Sequence, residues 1–259
     1  MLSVITLCVI EYHIEGGGAM YAQEVLLFGD SIARGIMLDT KGSYKPFPDC
    51  FAVRTADALG YRLINKARFG CTISKGLEII RRSILRSGMT SKNAEPKRLA
   101  FLELGGNDCD FRWDEVAARP TAEHLPNTPP ETFRALYSES INILRQNGYT
   151  PVLLTLPPLN AERYFAWFTR TGLDRAAILV WLGDVQFIYR WHESYSNSIW
   201  QIGEKEHCTV LDIRSAFLKQ RAYENLLCID GIHPNHASHE LIKHEIMEYA
   251  KNHDAACLG

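Results

Sequence analysis

The sequence predicts a three-layer α/β fold around a parallel sheet of five strands, and three observations predict it. Short apolar runs alternate with helical stretches at the spacing of βαβ units, which implies parallel strands joined by right-handed crossovers. The first run, Val25-Leu26-Leu27-Phe28, is continuously apolar, as a strand buried on both faces is, and stops at Gly29-Asp30-Ser31. The chain has 259 residues, 46% hydrophobic and 22% charged, enough to bury a sizeable core.

The elements follow in order. After Ser31 a loop rich in Gly and Pro runs to about Pro48. Residues 50–59 read as a helix stopped by Gly60, residues 62–65 as a second strand, and Ala67-Arg68-Phe69-Gly70-Cys71 as the turn after it. Ile73, Leu77, Ile80 and Ile84 recur at helical spacing, so 73–85 is a helix. Residues 98–104 form a third strand ending in Gly105-Gly106-Asn107-Asp108, and the segment beyond, with Pro120, Pro126, Pro129 and Pro130, reads as irregular. Thr128-Pro129-Pro130-Glu131 has the form of a capping box with proline at the first helical position. The helix it opens carries Phe133, Leu136, Tyr137, Ile141 and Leu144 on one stripe and closes at Gly148. Residues 151–156 and 209–213 are the fourth and fifth strands, and an amphipathic helix runs from His236 to about Lys251.

Between the last two strands, residues 157–208 are too long for a plain crossover. Residues 172–182 and 184–202 read as helices, the second with Ile188, Trp191, Tyr195, Ile199 and Ile202 on one side. The aromatics concentrated here either form a helical cap on the sheet edge or line a pocket, since binding elements are usually insertions at the active face.

Residues 21–259 are expected to form one domain. Residues 2–10 are apolar, but no Lys or Arg precedes them and no small-residue cleavage site follows, so they make a poor signal peptide. With the linker-like Gly16-Gly17-Gly18 they read as a poorly ordered extension over residues 1–20, Met20 being a candidate natural start. A net charge of −2 gives no reason to expect a nucleic acid or an anionic membrane, and no apolar run reaches bilayer length. Seven scattered cysteines without C-x-x-C spacing fit reduced thiols in a cytoplasm.

Chemistry-bearing residues gather at two places. Ser31 follows a strand end, where open α/β sheets place their reactive groups, although an Asp-Ser pair there is also the form of a helix N-cap. Near the C-terminus, Asp230-Gly231-Ile232-His233-Pro234 sets a carboxylate three residues before an imidazole whose tautomer it can fix. Asp-Gly is equally a plain turn pair. His233, His236, His239 and His244 form a histidine-rich run, but no cysteine or carboxylate at ligand spacing completes a metal set. No glycine-rich phosphate loop occurs, and Gly29-Asp30-Ser31-Ile32-Ala33 lacks the second glycine of a Gly-x-Ser-x-Gly elbow.

Four blocks in fixed order, Gly29-Asp30-Ser31, the segment around Gly70, Gly105-Gly106-Asn107-Asp108 and Asp230-Gly231-Ile232-His233-Pro234, resemble those of the SGNH hydrolases, the GDSL-type esterases and lipases. The resemblance runs from about Tyr21 to the end and implies a flavodoxin-like α/β/α sandwich. It implies Ser31 as nucleophile, His233 as general base and acid, and Asp230 as its orienter. The N–H groups of Ser31 and Gly70 and the Asn107 side chain would form an oxyanion hole, and Asp108 would be structural. Chemistry agrees: acyl transfer needs a nucleophile, a base, an orienter and donors aimed at the developing oxyanion. The expected substrate is a small ester with a short acyl group, acetyl by this reading, on a carbohydrate or similar alcohol, with no metal or organic cofactor. A thioesterase or a lysophospholipase is the alternative on the same site, and a catalytically silent ligand-binding domain the alternative of another class.

Overall fold

The computed structural model describes residues 23–39, 41–87 and 98–256. The expected extension over residues 1–20 lies outside the described residues.

The central strands are β1 (Gln23–Gly29), β4 (Tyr61–Asn65), β5 (Arg98–Glu103), β6 (Tyr149–Leu154) and β7 (Thr209–Leu211), in the order β4-β1-β5-β6-β7. Every pairing is parallel, with Leu26 opposite both Ile64 and Ala100. Side chains alternate across β1. Leu26 and Phe28 enter a core with α2 (Ile73–Ser87), α4 (Pro130–Gln146) and α7 (Phe187–Lys205). Val25 and Leu27 enter a second core with α1 (Phe51–Leu59), α8 (Ile213–Leu218) and α9 (His236–Ala256). Both faces of the strand are therefore buried, which is why its sequence shows no polar alternation. Within α4, Phe133, Tyr137, Ile141 and Leu144 are wholly buried, so Phe133→Ala is expected to cost about 3–5 kcal/mol of stability. A third, largely aromatic core belongs to the insertion and joins α3 (Trp113–Ala118), α5 (Ala161–Thr169), α6 (Arg175–Leu182) and the start of α7.

Several local expectations need correction. The loop after Ser31 holds a small antiparallel hairpin, β2 (Ile36–Leu38) with β3 (Tyr44–Pro46); strands of three residues are too short to show a period. The irregular segment after Asp108 contains α3, anchored by buried Trp113 and Val116. The capping box does not form: Pro129 is the N-cap residue, with no side-chain cap, although Pro130 does take the first turn. The Thr128 hydroxyl instead bonds the Asp108 carboxylate, a stronger acceptor buried beside it. The fifth strand stops at Leu211 because the Asp212 carboxylate accepts the Ser215 N–H at 3.0 Å and starts α8. The insertion gains α5, which Asn160 caps by accepting the Arg163 N–H at 2.9 Å.

Candidate active site

Ser31 lies two residues beyond β1, at the carboxyl end of the sheet, in a turn closed by the Asp30 side chain: its Oδ1 accepts the Ile32 N–H at 2.8 Å. The other partners arrive from the far end of the chain. The loop between the 3-10 turn at 223–226 and α9 is pinched by the Cys228 N–H donating to the His233 carbonyl at 2.7 Å. Gly231 has a φ of +75°, and a Cβ there would lie 2.7 Å from the Asn160 carbonyl oxygen, so a side chain is excluded on both counts. The Gly231 carbonyl accepts the Asn160 N–H at 2.8 Å, which locks this loop to the start of α5.

The result is a row of short contacts. His233 Nε2 lies 2.8 Å from Ser31 Oγ, and His233 Nδ1 lies 2.6 Å from Asp230 Oδ2. All three residues are buried, Asp230 completely. Asp230 Oδ1 also accepts the Ile232 and His233 N–H groups, each at 3.2 Å. The Nδ1–H that Asp230 accepts leaves Nε2 free to face the hydroxyl.

Two residues outside the motif blocks complete the row. Tyr44, on the hairpin, donates its hydroxyl to Asp230 Oδ2 at 3.2 Å and accepts the Trp167 indole N–H at 2.8 Å. Burial, then the Asp230 charge, pushes the Tyr44 phenol up to about 12, so it remains a donor. Its ring lies 4.9 Å from that of His233, and Phe69 stacks near-parallel on the same imidazole.

Beneath Ser31, Asn107 donates from Nδ2 to Asp30 Oδ2 at 2.8 Å, and its carbonyl accepts the Asn127 amide at 2.9 Å. The Asn107 side chain is thus held at the cleft with its second N–H in reserve. Burial raises the Asp30 carboxyl, and burial together with Asp30 raises Glu103 well above the usual carboxylate range. Two carboxyls buried together cannot both ionise, so Glu103 keeps its proton. A carboxylate directly after the apolar run Leu99-Ala100-Phe101-Leu102 of β5 was the sequence signal for this pair. Asp108 does not face the cleft: both its oxygens accept the N–H of Ile73, the first residue of α2, at 2.9 and 3.0 Å. Burial pushes its carboxyl up to about 6.

Gly70 is placed differently from its expected partners. Its φ of +64° suits glycine, but an added Cβ would meet nothing within 4 Å, and the cleft wall here comes from Phe69. Among the described residues, the N–H groups of Ser31 and Gly70 donate to no protein acceptor. The histidine run does not gather: His236 and His239 lie against the rings of Phe47 and Phe51. Among the described residues no three metal-ligating side chains come together, and no helix is long and apolar enough to cross a membrane.

From Ser31 and His233 a cleft of about 410 Å³ runs under the insertion, walled by Phe111, Trp113, Phe168, Phe187 and Trp191. Both sequence readings of the aromatics hold, for different rings: Phe165 is core, while Phe168, one turn on, reaches the cleft. Asp110, which no motif marked, stands in the wall, with Trp113 donating to Oδ1 at 2.9 Å and Tyr164 to Oδ2 at 2.7 Å.

Residues 27–241 match the model of the GDSL-like lipase/acylhydrolase family. No curated protein matches the sequence. Solved structures similar to this one include a lipase/acylhydrolase from Enterococcus faecalis, 19% identical, covering 89% of this chain and 96% of that one with a TM-score of 0.57. A variant of an acetyl xylan esterase from Geobacillus stearothermophilus is 16% identical, with 88% and 94% covered and a TM-score of 0.59. A lipolytic G-D-S-L family protein from Veillonella parvula is 14% identical, with 88% and 97% covered and a TM-score of 0.57. At such identities the likeness is one of fold.

Proposed function

Since the chain belongs to the GDSL-like lipase and acylhydrolase family and is a carboxylic ester hydrolase, we propose that it is a serine esterase whose nucleophile is Ser31. His233 takes the hydroxyl proton on Nε2 as Ser31 Oγ bonds to the ester carbonyl carbon. It passes that proton to the departing alcohol when the C–O bond breaks. Water then repeats the sequence on the acyl-enzyme, releasing the acid and restoring Ser31. Asp230 fixes the imidazole tautomer and stabilises the imidazolium. The Ser31 and Gly70 N–H groups and the free amide hydrogen of Asn107 receive the oxyanion. The observation that carries this reading is the unbroken row from Ser31 Oγ through His233 to Asp230, at 2.8 and 2.6 Å.

The substrate we favour is a short acyl ester, acetyl foremost, of a carbohydrate or similar alcohol. The acetyl preference comes from the family, and an acetyl xylan esterase is among the folds this chain resembles. Hydrolysis of p-nitrophenyl acetate, abolished in Ser31→Ala, tests the reading; an inactive wild-type protein would point to a silent binding domain instead. A series of nitrophenyl esters tests the acyl length: rates peaking at long chains would replace the short-acyl reading with a lysophospholipase or thioesterase.

A further inference from the structure

We propose that the aromatic end of the cleft is a subsite for a substituted ammonium group carried by the alcohol part of the ester, so that the preferred substrate is the ester of a cationic alcohol. The inference rests on the esterase reading above and departs from it in the alcohol, taking a cationic one in place of a carbohydrate. A short acyl group fills little of 410 Å³, so the alcohol must occupy the space between Trp113 and Trp191.

What this end offers is unusual in its polarity. Asp110 is half-buried and open to the cleft, yet no cationic side chain pairs with it among the described residues. The guanidinium of Arg112 pairs with Glu115. That of Arg214 lies behind His192 and pairs with Glu193. Arg170 stacks over the Trp167 ring at 3.6 Å. Around Asp110 the polar hydrogens of the wall are already engaged: Trp113 and Tyr164 donate to its carboxylate, and Trp191 donates to the Cys109 carbonyl at 2.9 Å. Around Asp110 the wall therefore presents ring surface and one carboxyl, which burial raises and a bound cation would hold ionised, while the Arg170 guanidinium lines the cleft on the Trp167 side. Burial and Arg214 push His192, which also lines the cleft, down to about 3, so it adds no positive charge.

Three ligand chemistries can be weighed against that surface. The hydroxyls of a sugar can donate to Asp110, but their oxygens would find the N–H and O–H groups beside it already engaged. A neutral hydrocarbon would bury the Asp110 carboxyl further and bring it no counter-charge beyond the hydrogen bonds from Trp113 and Tyr164. A substituted ammonium meets both conditions. Its charge faces Asp110, its alkyl surface lies on the rings, and the rings attract the cation through their quadrupoles. Its weak hydration makes transfer into the cleft cheap.

The test compares acetylcholine with its neutral isostere, 3,3-dimethylbutyl acetate, and with p-nitrophenyl acetate as reference. The expected kcat/KM ratio of cationic to neutral ester is about tenfold or more in the wild type, falling to within about twofold in Asp110→Asn. Taking the ratio within each protein cancels any general loss of activity. Asn keeps the oxygen that Trp113 bonds, and Tyr164 can turn to accept, so the variant is a mild one. A wild-type ratio near one, with p-nitrophenyl acetate still hydrolysed, overturns the inference and leaves the esterase reading intact. If none of the three esters is hydrolysed, the esterase reading fails, and tetramethylammonium binding to Ser31→Ala, followed by tryptophan fluorescence, decides the cation site alone. Saturable binding that Asp110→Asn removes supports the site; no binding overturns it.

Discussion

Asp230, buried behind His233, and Asp110, in the wall of the cleft, both have hydrogen bonds to both carboxylate oxygens. Asp230 accepts two backbone N–H groups, the Tyr44 hydroxyl and the Nδ1 of His233, a ring that can itself take up a charge. Asp110 accepts an indole and a phenol, and the groups around it are rings that cannot. The first carboxylate is complete within the protein, since the imidazole it orients lies 2.6 Å away in the chain. The second finds its counter-charge in what binds. A buried carboxylate alone therefore says little; what faces it separates a group that works on the reaction from one that selects the reactant.

The strongest way to break this division is at the sheet end. Ser31→Ala or His233→Ala should lower kcat by roughly 10³-fold or more at unchanged melting temperature, and the double variant should be little worse than either. Losses that multiply in steady-state kinetics would deny that the two act as a unit. Asn107→Ala should lower kcat by on the order of 10²–10³-fold, with KM little changed, because its free hydrogen acts most on the transition state. A change confined to KM would move Asn107 to the recognition end.

Beneath both ends, Asp108 tests the scaffold. Its folded value of about 6 against an ordinary 3.8 means that the folded protein holds the extra proton between those values. Its contribution to stability is therefore greatest below about pH 4, falls as pH rises to about 6, and is level above. The fall is on the order of 3 kcal/mol. Urea unfolding across this range, wild type against Asp108→Asn, should show that difference; a difference that grows with pH would contradict it.

At the helical end the effects should be smaller and of another kind. Phe187→Ala should raise KM for a bulky ester by about tenfold while kcat stays within about threefold. Equal changes in the two constants would erase the division of labour. Smallest is Tyr44→Phe, which removes one donor from Asp230 and should lower kcat about three- to tenfold without moving KM. A shift in KM alone would make Tyr44 a wall of the cleft and nothing more.

The sequence by itself determined the sheet and the chemistry-bearing strand ends. A strand buried on both faces must be continuously apolar, and its end must be a turn, so Val25–Gly29 and the stretch before Asn107 are marked within a few residues. Asp230 and His233 are legible for the same reason: they are three residues apart, and their loop is closed by local bonds. The tertiary structure alone decided what surrounds them. Tyr44 reaches Asp230 across 186 residues, and Trp167 reaches Tyr44 across 123, so neither contact leaves a periodic trace. The hairpin strands are too short to reveal themselves, and the Thr128 hydroxyl left the expected cap for a carboxylate that folding brought beside it. Phe165 and Phe168 sit three residues apart on one helix, one in the core and one in the cleft. Ring and spacing are alike for both; only the packing of α3 and α7 against that helix decides which of them meets a ligand.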